Sequence, residues 1–428
     1  MRDSDKRSYS SRPVLTINLT AIADNYKALA NMVGTARIGA SVKADGYGLG
    51  LQQIGRTLYG AGCRTFFVAH AGEGKLLRQS IGNQPTIYVF SGPAPQDSAV
   101  LFGNTLKPVI NSLSQARDWV QTIEGVIRAP RVALHFDTGL NRLGIPESEA
   151  SVFAEDKELL EALNVDLVMS HLACSSTSDH PKNKEQLDAF RRIAARMPMV
   201  NLSLANTGGI YLGKPYHFKL VRPGIGLYGG VTTDNPLEKP RHVVELHAPV
   251  LQIKNVKKGD TIGYDATFTA PKDMKIAIVS AGYADGLPVS MSGSDNNIIS
   301  FARLGKNNVP VIGRISMDYT ILDITDVDKF IQPGEKAVFY GANLDKQAQQ
   351  TNRLNYEILT NLGQRCKRVY IRDGDSKDAK PKTAKPTTAK PRYDDNKNSA
   401  RASKTSYSPQ KNKNWKAKGK DWGAKPKR

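Results

Sequence analysis

A repeated alternation of strand-like and helix-like segments is the feature that most limits how this chain can fold. Between residues 14 and 221, short apolar runs alternate with segments whose apolar residues recur at helical spacing. Such alternation predicts parallel strands, and a closed eight-stranded barrel is the usual arrangement at this length, with an open doubly wound sheet as the alternative. The predicted strands are Val14 to Leu19, Ile38 to Val42, Thr65 to Ala69, Thr86 to Phe90, Arg131 to Phe136, Val165 to Ser170, Leu202 to Leu204 and Phe218 to Val221.

The positions of unusual polar residues favour the barrel. A barrel enzyme gathers its chemistry at the carboxyl ends of many strands, whereas an open sheet concentrates it at one crossover. Here such residues follow the ends of different predicted strands. They are Lys43, His70, Asp137, His171, Asn206 with Thr207, and Arg222.

The intervening helices and a second domain complete the predicted architecture. The first helix is predicted to be capped by Thr20, and a longer one spans Glu147 to Leu163. From about Pro240 the pattern changes to short β-branched runs separated by turn residues, which predicts a mostly antiparallel β domain. We therefore expect a (β/α)8 barrel at 13–238, with packing of its first strand against the second domain as one option, a β domain at 239–374, and a disordered tail at 375–428.

The positive charge is concentrated in the tail. Residues 376–428 hold 17 Lys or Arg against 4 Asp, which accounts for 13 of the net charge of +20. Almost no aliphatic residues occur there, so the tail cannot bury enough apolar surface to order itself. Aromatic residues interleave with the lysines, so weak binding of nucleic acid or an anionic surface is an alternative to a merely solvated extension.

Other features limit the cellular context. No apolar run is long enough to span a bilayer, and the polar first 12 residues do not resemble a secretory signal. We therefore expect a cytoplasmic protein without a membrane partner. Three widely spaced cysteines, at 63, 174 and 366, argue against a disulfide framework or a metal cluster.

Lys43 is the most informative single residue. It ends a predicted inner strand and precedes a turn containing Gly46, Gly48 and Gly50. Burying a lysine is costly, and desolvation lowers its pKa so that the free amine becomes available for Schiff-base chemistry. From these residues alone, a lysine that simply extends its ammonium group to solvent is equally compatible.

A resemblance to alanine racemases rests first on residues 42–48, VKADGYG. This run is similar to the family's pyridoxal phosphate lysine motif, and further matches extend from about residue 13 to residue 373. The resemblance implies that Lys43 carries pyridoxal 5'-phosphate as an aldimine and that Tyr47 contacts its phosphate. It also implies interconversion of L- and D-alanine, which supplies D-alanine for peptidoglycan.

Further matched residues are given roles by the same resemblance. Arg142, in FDTGLNRLG, would bind the substrate carboxylate, a task that suits a planar guanidinium. His171, in SHLAC, would stack on the cofactor ring, although a satisfied core histidine is an alternative. Thr207, in LANTGG, stands where the family usually has serine and would offer its hydroxyl to the phosphate.

The run VRPGIGLYG at residues 221–229 carries the most diagnostic match. By resemblance, Arg222 bonds the pyridine nitrogen, while Gly224 and Ile225 donate backbone N–H groups to the phosphate and Tyr356, on a final helix, also reaches it. A guanidinium cannot accept the pyridinium proton, so the ring is a weaker electron sink and side reactions are fewer. Decarboxylases of the same fold pair that nitrogen with an acidic residue, and Arg222 argues against them.

The second base is predicted to come from the β domain. Inversion of an alpha carbon by two bases needs an acid and a base on opposite faces. Lys43 would serve one face, and Tyr264, in GYDATF, resembles the family tyrosine that serves the other from the partner subunit. Met317 would donate its backbone N–H to the substrate carboxylate. The resemblance thus implies a homodimer with shared active sites, although without it Tyr264 reads as an ordinary turn residue.

One departure from the family leaves specificity open. Seven positions before Arg142, where the family commonly has a carbamylated lysine that braces this arginine, the chain has His135. Carbamylation is therefore not predicted. A racemase of broader amino acid range is one alternative, and a non-catalytic protein that binds nucleic acid through the tail is another.

Overall fold

The computed structural model describes residues 10–197, 200–233, 239–295, 297–327 and 330–375. The chain enters through strand β1 (Val14–Asn18), which leads directly into helix α1 (Leu19–Val33). Asn18, and not the predicted Thr20, caps this helix, because the Asn18 side chain accepts a hydrogen bond from the Ala21 N–H at 3.0 Å. The predicted tail and the Pro236 linker lie outside the described residues, so the domain limits stay predictions.

The predicted parallel barrel is confirmed. Strands β3 to β7, β9 and β10 pair in parallel as neighbours, and β2 pairs with β11. Two backbone bonds close the ring: Gly39 N–H, between β2 and β3, donates to Val221 O, and Arg222 N–H donates to Ala205 O just after β10. The strands are β2 (Arg37–Ile38), β3 (Ala40–Ser41), β4 (Thr65–Val68), β5 (Thr86–Val89), β6 (Lys107–Ile110), β7 (Val132–Asp137), β8 (Ile145–Pro146), β9 (Val165–Met169), β10 (Asn201–Ser203) and β11 (Leu220–Val221).

Helices connect these strands. The single helix predicted over 147–163 is wrong, because the chain breaks at Asp156, whose carboxylate caps the following helix by accepting from Leu159 N–H at 2.9 Å. The helices are α2 (Lys43–Tyr47, a single turn with left-handed backbone angles), α3 (Leu51–Gly60), α4 (Ala71–Ile81), α5 (Ser98–Gly103), α6 (Leu113–Ile123), α7 (Ala150–Glu155), α8 (Lys157–Leu163), α9 (Pro181–Ala194) and α10 (Thr207–Tyr211).

One barrel strand was missed by the alternation, and one predicted strand lies elsewhere. Strand β6 contains Pro108, which lacks a backbone donor and weakens any strand signal. Strand β1 pairs with β12 and β20 of the β domain. The number of barrel strands agrees with the prediction, but the segments differ, because β6 is part of the barrel and β1 is not.

The barrel interior is filled by side chains. Phe67 and Tyr88 stack with ring centroids 5.1 Å apart, and Tyr88 donates its hydroxyl hydrogen to Asp166, which also pairs with Lys107. This packing leaves no channel between the described strands, so a ligand site must lie at the end of the barrel.

The predicted antiparallel β domain is also confirmed. The 13-residue strand β12 joins β15 through its second half and β19 through its first half, so that β12, β15, β18, β17, β16 and β19 form a ring. The elements are β12 (Val244–Val256), β13 (Thr261–Ile262), β14 (Phe268–Thr269), β15 (Met274–Val279), β16 (Phe301–Leu304), β17 (Asn307–Ile312), β18 (Thr320–Asp323), β19 (Lys336–Tyr340), α11 (Leu344–Gln350), α12 (Asn355–Thr360) and β20 (Lys367–Ile371).

The last described segment returns to the barrel. Arg368 donates to Gly48 O at 2.8 Å, and the Tyr370 hydroxyl donates to Leu49 O at 3.0 Å. These bonds hold β20 against the turn that follows Lys43. Within the described residues, no helix has the length and apolar character needed to cross a bilayer.

Replacing Asn18 with alanine should destabilise the protein by about 1 kcal/mol, because the first turn of α1 loses its cap. The exposed Lys27→Ala substitution on the same helix is the matched control and should change stability by less than about 0.5 kcal/mol. Denaturant unfolding at one protein concentration measures both. Equal midpoints for Asn18→Ala and the wild type would contradict the assignment of the cap.

Candidate active site

A strained turn presents Lys43 at the carboxyl end of the first barrel strand. The residues after the lysine adopt left-handed backbone conformations, with φ of 54° at Ala44, 54° at Asp45, 63° at Gly46 and 55° at Tyr47. Left-handed geometry costs a non-glycine residue roughly 1–2 kcal/mol. Strain of this kind persists only where surrounding contacts enforce it, and it is concentrated at functional sites.

Two carboxylates enforce this turn. Glu73 accepts hydrogen bonds from Asp45 N–H at 3.2 Å and from Ala69 N–H at 2.8 Å, which ties the turn to the next strand. The Asp45 carboxylate accepts from Leu51 N–H at 2.8 Å at the start of α3. The turn after Lys43 is therefore tied to α4 through Glu73 and to the start of α3 through Asp45.

A cavity of about 470 Å³ opens at this end of the barrel. It is large enough for a small cofactor and an amino acid. Nine of the predicted site residues line it together: Lys43, Tyr47, Arg142, His171, Thr207, Arg222, Gly224, Ile225 and Tyr356. Residues from the ends of separate barrel strands and from α12 thus converge on one site.

The surroundings of Lys43 lower the pKa of its amine. Burial lowers its pKa, the nearby positive charge of Arg142 lowers it further, and Glu73 partly opposes both. Its Nζ lies 5.8 Å from the ring centroid of Phe90. A larger share of neutral amine is therefore present at neutral pH than for a solvated lysine.

Arg222 is buried and has one unused donor. Its terminal nitrogens donate to Ser203 Oγ and to the Ser170 carbonyl, while Nε has no hydrogen-bond partner among the described residues. Burial lowers the pKa of the guanidinium to about 9, so it stays protonated at neutral pH. A buried charged N–H without a partner indicates that a ligand atom belongs beside it.

Hydroxyl groups collect at another side of the cavity. Tyr47 stacks on Tyr228 with centroids 4.3 Å apart, and Tyr228 is anchored by donating to Ser41 O at 2.9 Å. Burial raises the pKa of Tyr47 to about 12, so its hydroxyl remains a donor. Thr207 Oγ1 accepts from Gly224 N–H at 2.9 Å, which leaves the threonine hydroxyl hydrogen free to donate elsewhere.

Arg142 is positioned by the carboxylate that ends β7. Asp137 accepts from the backbone N–H groups of Gly139 and Leu140, both at 2.8 Å, and of Arg142 at 3.1 Å. The loop therefore wraps around one anion and directs the exposed Arg142 side chain to the cavity wall. The sequence placed Asp137 at a strand end but did not predict that its carboxylate holds the Arg142 loop.

His171 is a neutral imidazole. Its pKa lies well below the ordinary value because of burial and the positive charges of Arg222 and Arg142. Asn206 Nδ2 lies 3.4 Å from His171 Nε2, and Gln186 donates to the His171 carbonyl at 2.9 Å. The ring can therefore pack against a ligand without adding charge.

His135, on β7, pairs with Asn111, which follows β6. His135 Nδ1 and Asn111 Oδ1 are 2.9 Å apart, and both residues are buried. Burial, with a further contribution from Arg222, lowers the pKa of His135 to about 4. A neutral histidine thus stands seven residues before Arg142, where the family commonly has a lysine.

Three predicted positions do not reach this cavity. Tyr264 and Met317 are 68% and 52% exposed on the β domain, and neither is among the described residues that line the Lys43 cavity. His70 is exposed and begins α4, so its place after a strand does not bring it into the site. Strand-end position alone was insufficient for His70, because its side chain is exposed and does not line the Lys43 cavity.

The exposed β-domain residues sit on well-supported loops. Arg365 pairs with Asp285 at 2.8 Å and with Asp318 at 2.6 Å, which ties the turn that carries another exposed aromatic residue, Tyr283, to the loop of Met317. Side chains of this size exposed on rigid loops are typical of a protein interface.

Family models match both parts of the chain. The model described as "Alanine racemase, N-terminal domain" matches residues 17–232, and "Alanine racemase, C-terminal domain" matches residues 243–370. The chain belongs to the alanine racemase family. It is 39% identical over 379 residues to the biosynthetic alanine racemase of Agrobacterium fabrum, covering 86% of this chain and 96% of the relative.

Two further relatives agree with this membership. An alanine racemase of Rickettsia bellii is 42% identical over 342 residues, covering 78% of this chain and 81% of the relative. The crystal structure of alanine racemase from Bartonella henselae with covalently bound pyridoxal phosphate superposes with a TM-score of 0.80 at 35% identity. That comparison covers 85% of this chain and 100% of the other.

The donor set of this alanine racemase family member fits pyridoxal phosphate. The unused Arg222 Nε suits a ring nitrogen that accepts a hydrogen bond, and the hydroxyls of Tyr47 and Thr207 suit a phosphate. Lys43 supplies the amine. The site therefore contains a complementary group for each reactive part of the cofactor.

Several lining residues were not anticipated from the sequence. They had no motif of their own in the sequence, and proximity in the folded chain is the only signal for them. These residues are Ser41, Phe90, Leu354, Glu357 and Thr360.

Replacing Gly224 with alanine should weaken cofactor binding. An added Cβ would lie 2.1 Å from the Tyr47 hydroxyl, which must then move away from its position. Loss of a hydrogen bond to a charged group costs about 1.5–3 kcal/mol, which is roughly a ten- to hundredfold rise in Kd. Absorbance titration of the cofactor-free protein with pyridoxal phosphate measures this change.

Two variants control that experiment. Gly72→Ala adds a Cβ with no atom within 4 Å and should bind like the wild type. In a Tyr47→Phe background the hydroxyl is absent, so the Gly224→Ala substitution should cost less than it does in the wild type. Equal costs in both backgrounds would rule out the contact with Tyr47 as the cause.

We also expect stability to depend on pH through His135. Its pKa of about 4 in the folded chain lies below the ordinary 6.5, so between these values the unfolded chain binds more protons. Stability should therefore fall as the pH drops through this window, by up to about 1.4 kcal/mol per pH unit. Unfolding experiments on the wild type and His135→Gln between pH 6.5 and 4 should show the steeper loss in the wild type, and parallel curves would contradict the prediction.

Proposed function

We propose that this protein is a pyridoxal phosphate-dependent enzyme that interconverts L- and D-alanine. The observation that carries the proposal is the amine of Lys43, held by a strained turn in a cavity that also contains Arg142 and Arg222. Sequence identity of about 40% with alanine racemases over most of the chain supports the same reaction. A supply of D-alanine for peptidoglycan follows as the proposed physiological role.

Lys43 has two tasks in this proposal. Pyridoxal phosphate, when bound to an amino acid, withdraws electrons from the alpha carbon and makes its hydrogen acidic. Lys43 would hold the cofactor, and its Nζ as a free amine would exchange a proton with one face of the alpha carbon of the substrate. The lowered pKa of Lys43 makes the neutral, proton-accepting amine available.

Arg222 would limit how strongly the cofactor ring withdraws electrons from the substrate. Its Nε–H would donate to the ring nitrogen of the cofactor, and a guanidinium has no lone pair with which to receive a proton from it. Beside this donor the ring would withdraw electrons less strongly, so return of the proton to the alpha carbon would be favoured over competing reactions such as transamination. Arg222 would thus contribute reaction specificity.

Arg142 and Met317 would hold the substrate carboxylate. Arg142 lines the cavity with an exposed guanidinium, and the family resemblance gives the Met317 backbone N–H the same ligand from the partner subunit. Two fixed contacts on the carboxylate keep the alpha carbon in place while its hydrogen is exchanged.

The second base is proposed to be the partner subunit's Tyr264. Tyr264 is 68% exposed in its own chain, and its turn is fixed by an ion pair between Asp265 and Arg314. An exposed, well-anchored tyrosine is suited to enter a neighbouring site. The enzyme would then be a homodimer in which each site uses both subunits.

Substrate breadth is the main alternative within this function. His135 replaces the family lysine beside the carboxylate arginine, so a racemase of wider amino acid range is the competing hypothesis. Turnover of serine, lysine and arginine relative to alanine decides between them. The nucleic-acid alternative has no structural support, because residues 376–428 lie outside the described residues, and the cytoplasmic location stays a sequence prediction.

The direct test is formation of D-alanine from L-alanine by the purified protein supplied with pyridoxal phosphate. Lys43→Ala should abolish the reaction together with the visible absorbance of the lysine-linked cofactor. Retention of full racemisation by Lys43→Ala would overturn the proposal.

A mixing experiment tests the shared site. Lys43→Ala and Tyr264→Phe should each be inactive, but a mixed dimer contains one site with both substitutions and one site with neither. Equal mixing with subunit exchange should therefore restore about a quarter of wild-type activity. No recovery after verified exchange would place both bases in one chain.

A further inference from the structure

A buried glutamine on α9 makes three hydrogen bonds that join two loops of the active site. Gln186 is 0% exposed. Its Oε1 accepts from Ala173 N–H at 2.8 Å, and its Nε2 donates to the His171 carbonyl at 2.9 Å and to Thr138 Oγ1 at 3.2 Å. Since the Ala173 N–H can only donate and the His171 carbonyl can only accept, these two neighbours fix which way the amide faces.

The first of these loops carries Arg142 and contains Thr138. The carboxylate of Asp137 accepts from three backbone N–H groups of this loop, including that of Arg142 at 3.1 Å. Residues 137–142 are therefore wrapped around one anion and form a connected unit. A displacement of Thr138 consequently displaces the backbone that carries Arg142.

The second loop, residues 170–173, follows β9 and holds groups on the cofactor side of the site. It includes His171, which lines the active-site cavity. The Ser170 carbonyl accepts from Arg222 Nη2 at 2.5 Å, and Ser170 Oγ lies 2.8 Å from Thr138 Oγ1. Thr138, Ser170 and Gln186 are all buried, and their side-chain polar atoms are paired with one another or with backbone groups. A fully paired buried network of this kind is rigid.

One amide therefore connects the loop of Arg142 to the loop beside the cofactor site. We propose that Gln186 is a positioning residue that sets the spacing between Arg142 and the cofactor-side groups His171 and Arg222. Gln186 is not among the described residues that line the cavity, so it acts through these neighbours. This inference rests on the proposed function, because it takes Arg142 as the group that receives the substrate carboxylate.

Breaking this connection should affect the two sides of the site unequally. Tyr47 and Thr207, the hydroxyl groups that suit the phosphate, make none of these hydrogen bonds. Arg222 keeps its bond to Ser203 Oγ. The loop of Arg142 instead loses its tie to α9, and a displacement of about 1 Å is enough to weaken an oriented contact strongly. Binding of the substrate carboxylate should therefore suffer more than binding of the cofactor.

Propionate tests the carboxylate side separately, because it retains the carboxylate and methyl group of alanine but lacks the amine. In Gln186→Met, which has a similar length and no amide, we expect the Kd for propionate to rise about tenfold and that for pyridoxal phosphate to change less than about threefold. Isothermal titration calorimetry of the holoenzyme measures the first constant, and absorbance titration of the cofactor-free protein measures the second. Lys184→Ala, an exposed substitution on α9, is the matched control and should leave both constants unchanged.

Thr138→Val breaks the same connection from the side of the Arg142 loop. Gln186 then keeps its bonds to His171 and Ala173. We expect the same rise in the Kd for propionate, with a larger change in the KM for alanine than in kcat. Because each substitution breaks one shared connection, the double variant should bind propionate no more weakly than the weaker single variant. Near-ultraviolet circular dichroism checks folding, and Thr138→Val carries the test where Gln186→Met does not fold.

Three results would overturn the inference and leave the proposed function intact. They are unchanged binding of propionate by Thr138→Val, costs that add in the double variant, and equal losses of affinity for propionate and pyridoxal phosphate, which indicate a general loosening of the barrel. A wild-type holoenzyme that does not racemise alanine would overturn the proposed function and this inference with it.

Discussion

The structure depends on one constraint: an amine must be kept partly dehydrated beside two guanidinium groups. Burial and the charge of Arg142 both lower the pKa of Lys43, and Arg222 adds a buried cation across the same cavity. Such a group of positive charges is unfavourable in an empty cavity and favourable when a phosphate and a carboxylate are bound. The site is therefore built for anionic ligands, and the fold has to supply the rigidity that holds the cations together.

That rigidity comes from contacts distant in sequence. The left-handed turn after Lys43 is held by Glu73 from the first turn of α4 and by Arg368 from near the end of the described chain. Since β1 and β20 pair with each other, both ends of the described chain belong to the β domain. The β domain thus supports the lysine turn and also presents Tyr264 and Met317 on anchored loops.

Much of the fold could be predicted because strand and helix periodicity is local. The barrel was predicted from the alternation, but β6 was missed because Pro108 interrupts its strand pattern. Strand β1 was counted in the barrel because it begins the alternation, whereas it pairs with β12 and β20. Motifs identified Lys43, Arg142 and Arg222 because their spacing is distinctive. Phe90, Leu354 and Glu357 could not be found in this way, since they reach the cavity only through packing between separate elements.

The sequence by itself determined the two fold classes, the lysine turn and the set of polar side chains at the strand ends, because these depend on local pattern and motif. Only the tertiary structure decided which of those side chains meet. His70 lies outside the cavity, Asp137 holds the loop of Arg142, and His135 pairs with Asn111. Hydrogen-bond direction and burial arise from neighbours brought together by folding, so they cannot be read from residue order.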